Sequence, residues 1–336
     1  MDVLIDFGPE ISQWLQENWP QLEPIMAAFT QLGSFNFYLL TIPFIYWSIH
    51  KQLGGHLLFL LTLGNTVGET LKHYFRDPRP YWYDPSLNAT GEPTYGFPSN
   101  HSLVPPLLFF VIASWVRKTW VWVVAIILAL IVMFSRIYLG VHDVPDVLFG
   151  FLLGMIIFGL YISWRRSYLK RFNNRILGQK LLAVVLIGLF FFILTVVIVL
   201  VLGEVVNDNP EWDLFYEESE RASLDGATAN IASLLGFGIG LLFEGTRIRF
   251  DSGGTAVKRI LRYLFGIITT TIIFFGLRSV FPDTNEADYI ISIPLRAVRY
   301  FISAIWVAYY APALFVRLNL AERLPESNGI TLEGTL

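Results

Sequence analysis

Three short polar clusters interrupt the apolar stretches of this 336-residue chain. They are KHYFRDPRP at 72–80, PSNH at 98–101 and SRIYLGVHDVPD at 135–146. Their lysine, arginines, histidines and aspartates could hold a phosphate, attack its phosphorus and protonate the leaving oxygen. Ionisable groups are costly at membrane depth, so such clusters in an apolar chain are candidates for a functional site.

His142 and Asp146 form the pair best suited to nucleophilic attack. Pro145 suits the first turn of a helix and Asp143 suits its N-cap, which would bring His142 and Asp146 together on one face. A carboxylate that accepts a hydrogen bond from one imidazole nitrogen leaves the other nitrogen free and oriented as a nucleophile. The pair alone leaves open a surface His–Asp contact without chemistry.

Three cations accompany this pair. Arg136 lies near the end of one predicted span, Lys72 ends another, and Arg79 follows Lys72 in an Arg-Pro turn. An arginine fork binds phosphate oxygens bidentately and stays charged at any relevant pH. Each cation could instead extend toward interfacial water. Their convergence in the charge-poor half of the chain favours a phosphate site.

The PSNH cluster opens a predicted span. Ser99 and Asn100 are good N-cap residues, and the free N–H groups at a helix start bind phosphate. His101 is a second titratable imidazole, placed to protonate a leaving alkoxide. Glu69 lies near Lys72, and pairing with Lys72 or Arg76 is favoured over a catalytic role for this carboxylate.

Composition indicates a multi-pass membrane protein. Hydrophobic residues make up 54% of the chain and charged residues 15%, with a mean hydropathy of +0.54. Soluble domains carry roughly 25% charged residues. The absence of cysteine excludes disulfides, thiolate catalysis and cysteine-bound metals.

Windows of about 20 apolar residues predict the membrane spans. The predicted spans are 34–50, 53–71, 102–116, 119–136, 146–164, 181–203, 227–245, 260–280 and 293–316. Residues 7–30 mix tryptophans and acids, and are predicted to form an interfacial helix interrupted at Pro20 and Pro24.

The charges of the loops between the predicted spans predict the orientation of the chain in the membrane. Segments 164–180 and 246–262 are rich in lysine and arginine, whereas 204–225 and 281–289 are acidic. An external N-terminus, external polar clusters and a cytoplasmic C-terminus in a cell membrane reconcile these charges. The alternative is that these charged segments are solvated loops that say nothing about orientation.

The clusters match a family signature. The chain resembles the type 2 phosphatidic acid phosphatase (lipid phosphate phosphatase) superfamily, whose pattern is K-x6-RP, PSGH and SR-x5-H-x3-D, over residues 30–160. Asn100 replaces the glycine of PSGH, a mild departure because a backbone N–H is retained. The resemblance implies an all-α, polytopic membrane protein with a six-helix phosphatase core, and about three extra C-terminal transmembrane helices follow it here.

The resemblance also implies roles for the residues. His142 attacks phosphorus and forms a phosphohistidine, Asp146 orients it, and His101 protonates the departing oxygen. No metal or other cofactor is expected. The phosphoryl oxygens are held by Lys72, Arg79, Ser99, the Asn100 amide and Arg136.

Segments 32–54, 95–101 and 135–142 look like the sphingosine-1-phosphate phosphatase branch of the superfamily. The implied organisation has five parts: an interfacial segment 1–33, a phosphatase core 34–203, an acidic external loop 204–225, a C-terminal transmembrane extension 226–318 and a flexible tail 319–336. The acidic loop is expected to overhang the site.

The leading hypothesis is a phosphoric monoester hydrolase that acts on a phospholipid, sphingoid or polyprenyl phosphate, as a monoester or a pyrophosphate. The alternatives are a lipid phosphotransferase using the same site and a non-catalytic phospholipid-binding protein. Membrane lipids are expected partners and nucleic acid is not. The glycine run Gly236, Gly238 and Gly240 predicts close helix packing, which could serve the core or a homodimer.

Overall fold

The computed structural model describes residues 8–87, 91–203, 205, 209–281 and 289–325. The all-α prediction is confirmed there, since the described residues form helices and, outside them, one isolated β-bridge between Phe250 and Arg323. The α-helices are α1 Gly8–Asn18, α2 Glu23–Thr30, α3 Phe35–Phe44, α4 Lys51–Phe75, α5 Pro80–Tyr83, α6 Asn100–Val116, α7 Thr119–Tyr138, α8 Val144–Ser167, α9 Leu169–Asn173, α10 Leu177–Leu202, α11 Asp213–Phe243, α12 Ala256–Val280, α13 Tyr289–Ile305 and α14 Ala311–Arg317.

Short turns of other helix types connect or extend these elements. The 3₁₀ turns are Pro20–Leu22, Gln31–Gly33 and Pro210–Trp212. The π turns are Ile45–Ile49 after α3, Glu244–Ile248 after α11 and Trp306–Tyr310 after α13.

Fewer helices than predicted could cross a membrane by length and apolarity alone. Among the described residues six helices qualify, or seven if the bent pair Pro20–Gly33 and Phe35–Ile49, which meets at 53°, counts as one span. All nine predicted spans are nevertheless helical. Two of the others differ for visible reasons: α6 has 17 residues, and α4 carries polar residues along its length, including His56, Asn65 and Glu69.

The first of two compact units comprises residues 1–37, 64–159 and 193–227. Its N-terminal helix breaks at Pro20, as predicted, and Pro24 falls in the first turn of α2. The segment packs on the end of α7, and its interfacial position stays a prediction. Its packing is apolar through Leu15, Met26, Tyr138, Leu139 and Val141, and polar through Ser12 and Gln16, which donate to the Ile137 and Tyr138 carbonyls at 2.7 and 2.9 Å.

The second unit comprises residues 38–63, 160–192 and 228–336. Its π turns are joined by polar contacts, since Tyr46 and Trp47 donate to the Ala308 and Val307 carbonyls at 2.9 and 3.0 Å. Lys51 pairs with the buried Glu244 at 2.7 Å.

The predicted glycine run is used for packing inside this second unit. A Cβ at Gly236 would collide with Ala304, and one at Gly240 would collide with Ala308. Gly238 faces Val184 in the same way. The stripe therefore brings α11 close to its neighbours within one chain, and the homodimer stays a prediction.

The predicted acidic loop 204–225 is wrong as a loop over most of its length. The 3₁₀ turn at Pro210–Trp212 leads directly into α11, which begins at Asp213. Aromatic packing supports this helix, because Phe215 stacks on Trp82 with ring centroids 5.2 Å apart. Most of the predicted 281–289 loop and residues 326–336 of the predicted tail lie outside the described residues.

Candidate active site

His142 is held by the start of α8. Its Nδ1 lies 3.0 Å from Asp146 Oδ2, and the backbone N–H of Asp143 donates to the same oxygen at 3.2 Å. His142 and Asp146 are buried, with exposed fractions of 1% and 2%. When Asp146 accepts from Nδ1, that nitrogen carries the proton and Nε2 keeps its lone pair for attack.

Arg79 lies beside the free nitrogen of this imidazole. Its Nη1 is 3.4 Å from His142 Nε2 and donates to the Val141 carbonyl at 2.7 Å. Its other nitrogens donate to the Thr94 carbonyl, the Thr94 hydroxyl and the Tyr95 carbonyl. These contacts fix a buried guanidinium next to the position that an attacked phosphorus would occupy.

Lys72 shares the same acceptors from the end of α4. Its Nζ donates to the Thr94 hydroxyl at 3.0 Å and to the Tyr95 carbonyl. Sequence reasoning missed Thr94 and Tyr95. The Tyr95 contact uses a backbone carbonyl, which every residue type supplies, and the Thr94 hydroxyl belongs to no motif, so no residue pattern pointed to these acceptors.

Arg136 is buried in the last turn of α7 and is held by two residues that sequence reasoning also missed. Its Nη1 donates to the Thr30 hydroxyl at 2.6 Å, and its Nη2 donates to Glu92 Oε1 at 2.8 Å. Burial opposes the charge on Glu92, but the nearby charges of Arg136, His101 and Arg79 outweigh burial and hold the Glu92 pKa well below its usual range. An internal carboxylate thus lies among the predicted phosphate ligands.

The PSNH cluster begins α6, with Ser99 as the N-cap residue. The Ser99 N–H donates to the Asp146 carbonyl at 3.2 Å, which ties this helix start to the His–Asp pair. Close approach depends on Gly150 and Gly154 in α8, where a Cβ would collide with the carbonyls of Ser99 and Leu103. This small-xxx-small spacing was a readable signal of close helix packing.

Asn100 and Glu69 form an unpredicted pair beside this helix start. Asn100 Nδ2 donates to Glu69 Oε1 at 2.6 Å, so the expectation that Glu69 pairs with Lys72 or Arg76 is wrong. Gly68 makes room for this contact, because a Cβ there would overlap the Asn100 carboxamide. The side chain of Asn100 therefore has contacts that the family's glycine could not make.

His101 follows Asn100 in the first turn of α6 and packs against Gly33, where a Cβ would collide with the imidazole ring. Burial lowers the pKa of His142, and Arg79, Arg136, Lys72 and His101 lower it further. The structure therefore brings the eight predicted site residues into one region of the first unit, with His142 neutral near pH 7.

α11 contributes the carboxylate of Glu220 to this region. Glu220 pairs with Arg76 at 3.2 Å and accepts from the Tyr95 hydroxyl at 2.9 Å. It also lies 3.6 Å from Nδ1 of the buried His73. The acidic segment thus reaches the site as a helix, through the same Tyr95 whose carbonyl contacts Lys72 and Arg79.

We expect Arg79→Lys to lower kcat/KM by about 10²-fold. A lysine ammonium cannot contact Thr94 and Val141 at once while placing a positive charge beside His142 Nε2, as the planar guanidinium does. Phosphate release from purified protein measures the effect. Arg166→Lys, a substitution at an exposed arginine of the second unit, is the matched control. Equal activity of the two variants would contradict the role of Arg79.

The raised pKa of Asp143 predicts that the free energy of unfolding depends on pH. Burial, reinforced by the charge of Asp77, raises the pKa of Asp143 from 3.8 to about 7. The folded protein holds a proton that the unfolded chain releases, so stability falls as pH rises between these values. We expect Asp143→Asn to raise the melting temperature more at about pH 8 than at about pH 5, because asparagine does not titrate.

Thermal unfolding in detergent at the two pH values measures this difference. Glu218→Gln removes an exposed carboxylate from α11 and serves as the control. If Asp143→Asn and the unsubstituted protein differ in melting temperature by the same amount at both pH values, Asp143 is not protonated in the folded protein.

The described residues contain no group of three or more histidines and carboxylates arranged to hold a metal ion. The arrangement instead offers a neutral imidazole with an oriented lone pair, a second imidazole and three buried cations. Such preplaced charges suit phosphoryl transfer, which depends on positioning and charge neutralisation.

Comparison with known proteins gives two family matches. Residues 53–170 match the PAP2 superfamily, and residues 228–323 match the transmembrane extension of PAP2 superfamily phosphatases. The first match contains all eight predicted site residues. The second covers most of the segment 226–318 that was predicted as a C-terminal extension and continues to residue 323 of the predicted tail.

Curated relatives match part of the chain, up to 46% of it among those described below. Phosphatidylglycerophosphatase B of Bacillus subtilis is 32% identical over 169 residues, which is 46% of this chain and 81% of the relative. Sphingosine-1-phosphate phosphatase 2 of Mus musculus is 28% identical and covers 40% of each chain. Undecaprenyl-diphosphatase of Sulfolobus acidocaldarius is 32% identical over 31% of this chain and 51% of the relative. The chain thus spans about half or less of the last two.

Proposed function

The chain belongs to the PAP2 superfamily of phosphatases, and from that premise we propose that it is an integral-membrane enzyme that hydrolyses a lipid phosphate through a phosphohistidine on His142. The membership confirms the resemblance seen in the three polar clusters. One observation carries the mechanism: Asp146 binds Nδ1 of His142 at 3.0 Å while Nε2 faces the guanidinium of Arg79 at 3.4 Å.

In the proposed first step, the lone pair of His142 Nε2 attacks phosphorus and the P–O bond to the lipid breaks. His101, which takes up a proton when the anionic phosphate binds beside it, gives that proton to the departing alkoxide. In the second step, neutral His101 takes a proton from water as the water oxygen attacks phosphorus. The P–N bond then breaks, which returns His142 to its starting state and releases inorganic phosphate.

The remaining site residues neutralise the charge that develops on the phosphoryl oxygens. Lys72, Arg79 and Arg136 supply positive charge, and the start of α6 supplies Ser99 and the Asn100 amide. The three cations are already positioned by contacts with Thr94, Tyr95, Thr30 and Glu92 before a substrate binds. A bound phosphate would compete with Glu92 for Arg136.

The test is phosphate release by detergent-purified protein in the presence of a chelator. Metal-independent turnover that is lost in His142→Ala is the expected result. Dependence on a divalent cation would contradict the mechanism. Transfer of the phosphoryl group to an acceptor lipid, without free phosphate, would indicate a phosphotransferase, and binding without turnover would indicate a phospholipid-binding protein.

The substrate class is proposed from the relatives. Their names cover phosphatidylglycerophosphate, sphingosine 1-phosphate and undecaprenyl diphosphate, so a monoester and a pyrophosphate are both represented. A panel of these three lipids, assayed on one preparation, identifies the preferred substrate. A clear preference for the sphingoid phosphate would support the predicted sphingosine-1-phosphate phosphatase branch.

We further propose that the site opens on the external face of the membrane, because the basic segments 164–180 and 246–262 favour the cytoplasm. The chain has no cysteine, which makes single-cysteine labelling direct. In intact cells an impermeant maleimide is expected to label Glu218→Cys at once, and Tyr168→Cys only after permeabilisation. The reverse pattern would place the site on the cytoplasmic side.

A further inference from the structure

A groove of about 430 Å³ lies within the second unit, which contains none of the predicted site residues. One side is aromatic, formed by Trp306, Tyr309 and Tyr310 of the last π turn. The other lining residues include three arginines: Arg247, Arg317 and Arg323. The groove thus joins an aromatic wall to a concentrated positive charge.

Two π turns shape this groove. Trp306–Tyr310 presents its aromatic rings, and Glu244–Ile248 contributes Arg247. Trp306 and Tyr310 are stacked with centroids 6.3 Å apart, and the Trp306 indole N–H donates to the Thr269 hydroxyl at 3.3 Å. Single π turns inside α-helices often occur at functional sites.

The three arginines are exposed and have no carboxylate partner among the described residues. Arg323 donates to the Arg247 carbonyl at 2.8 Å, and the Arg247 guanidinium lies over the Phe243 ring at 4.6 Å. These contacts orient two of the cations without neutralising them. A guanidinium cluster of this kind binds phosphate oxygens.

An apolar channel continues from the aromatic wall along α13. A second cavity of about 410 Å³ shares Trp306 and Tyr310 with the groove and is otherwise lined by Phe301, Ile302 and Ile305. From Tyr310 to Phe301 the helix advances by ~14 Å, which is close to half of the ~30 Å hydrocarbon thickness of a bilayer. The channel therefore matches an acyl chain in one leaflet.

We propose that this groove binds an anionic phospholipid of the bilayer, with its phosphodiester on Arg247, Arg317 and Arg323 and an acyl chain along residues 301–310. Tryptophan and tyrosine at the junction suit the headgroup level of a membrane. Free inorganic phosphate would leave the apolar channel unfilled, and a zwitterionic lipid would leave the cationic cluster unbalanced. The inference does not rest on the proposed phosphatase activity.

The test uses phosphatidylglycerol or phosphatidylcholine brominated in the acyl chain, titrated into detergent-solubilised full-length protein. Bromine quenches nearby tryptophan, and comparison with Trp306→Phe isolates the Trp306 signal from that of the other tryptophans. We expect saturable quenching by phosphatidylglycerol at an approximately tenfold lower lipid fraction than by phosphatidylcholine.

Substitution of the cluster completes the test. Arg247→Gln, Arg317→Gln and Arg323→Gln together are expected to raise the phosphatidylglycerol midpoint about tenfold. The matched control removes the same amount of charge elsewhere in the second unit, through Arg166→Gln, Arg171→Gln and Arg175→Gln. This control should leave the phosphatidylglycerol midpoint unchanged. If the triple variant folds poorly, Arg317→Gln alone, at an exposed helix end, replaces it in the test. This single variant should shift the phosphatidylglycerol midpoint in the same direction by a smaller amount.

Three outcomes would overturn the proposal. They are equal quenching by both lipids, an unchanged midpoint in a folded variant of the cluster, and protection of Trp306 by concentration-dependent dimerisation, which would assign the groove to a second copy of the chain. Phosphatase activity, measured on the same samples, is expected to persist in the cluster variants.

Discussion

His142→Ala is expected to lower kcat by about 10⁴-fold or more, because the variant has no nucleophile to form the phosphohistidine. The residual rate would come from binding and charge stabilisation by Lys72, Arg79 and Arg136, which remain. His142 is held through Asp146 and lies in a short connection before α8, so its removal leaves the surrounding helices in place. Phosphate release over a range of protein concentrations measures the loss.

His50→Ala is the control, since this histidine is exposed and belongs to the second unit. It should retain the activity of the unsubstituted protein. Trapping of a ³²P-labelled, acid-labile intermediate adds an independent readout, and the label should be absent in His142→Ala. Full labelling of that variant would place the phosphoryl acceptor on another residue.

Asp146→Asn is expected to lower kcat by about 10³-fold with little change in substrate binding. The carboxylate accepts from His142 Nδ1 and from the Asp143 N–H through the same oxygen, Oδ2. An asparagine that keeps the backbone contact through its oxygen no longer offers a charged acceptor to the imidazole, and an asparagine that flips puts N–H against N–H. In either case the correct tautomer of His142 loses its stabilisation.

Asp143→Asn provides a neighbouring comparison, because it removes a carboxylate of the same turn whose Oδ1 has no hydrogen-bond partner. Its effect on kcat should be within a few-fold of unity. Comparable losses in the two variants would indicate that activity requires the acidic side chains of this turn in general, rather than the contact with His142. A raised KM with unchanged kcat in Asp146→Asn would assign Asp146 to substrate binding instead.

The sequence by itself determined the local parts of the candidate site. The i, i+4 spacing predicted the contact between His142 and Asp146 because a helix start brings such positions together whatever surrounds it. The PSNH cluster was predicted at a helix start for the same kind of reason, and Ser99 is the N-cap residue there. The all-α class followed from apolar windows whose length only helices satisfy in a bilayer.

By length and apolarity alone, six described helices could cross a membrane, or seven with the bent pair, against nine predicted spans. A window of apolar residues reports burial away from water, and it does not distinguish lipid from protein interior. α4 and α6 approach the site, so their sequences combine apolar faces with polar residues or a shorter length. The acids of 213–225 suggested a loop, whereas packing of Phe215 against Trp82 supports a helix.

Only the tertiary structure decided which groups hold the cations. Thr30, Glu92 and Thr94 come from segments with no motif, and the contacts of Tyr95 with Lys72 and Arg79 use its backbone carbonyl, which every residue carries. Asn100 and Glu69 met because Gly68 leaves space for the carboxamide. Local spacing determines which neighbours in the chain can touch, while contacts between distant segments depend on how whole helices pack, and that packing is a property of the complete fold.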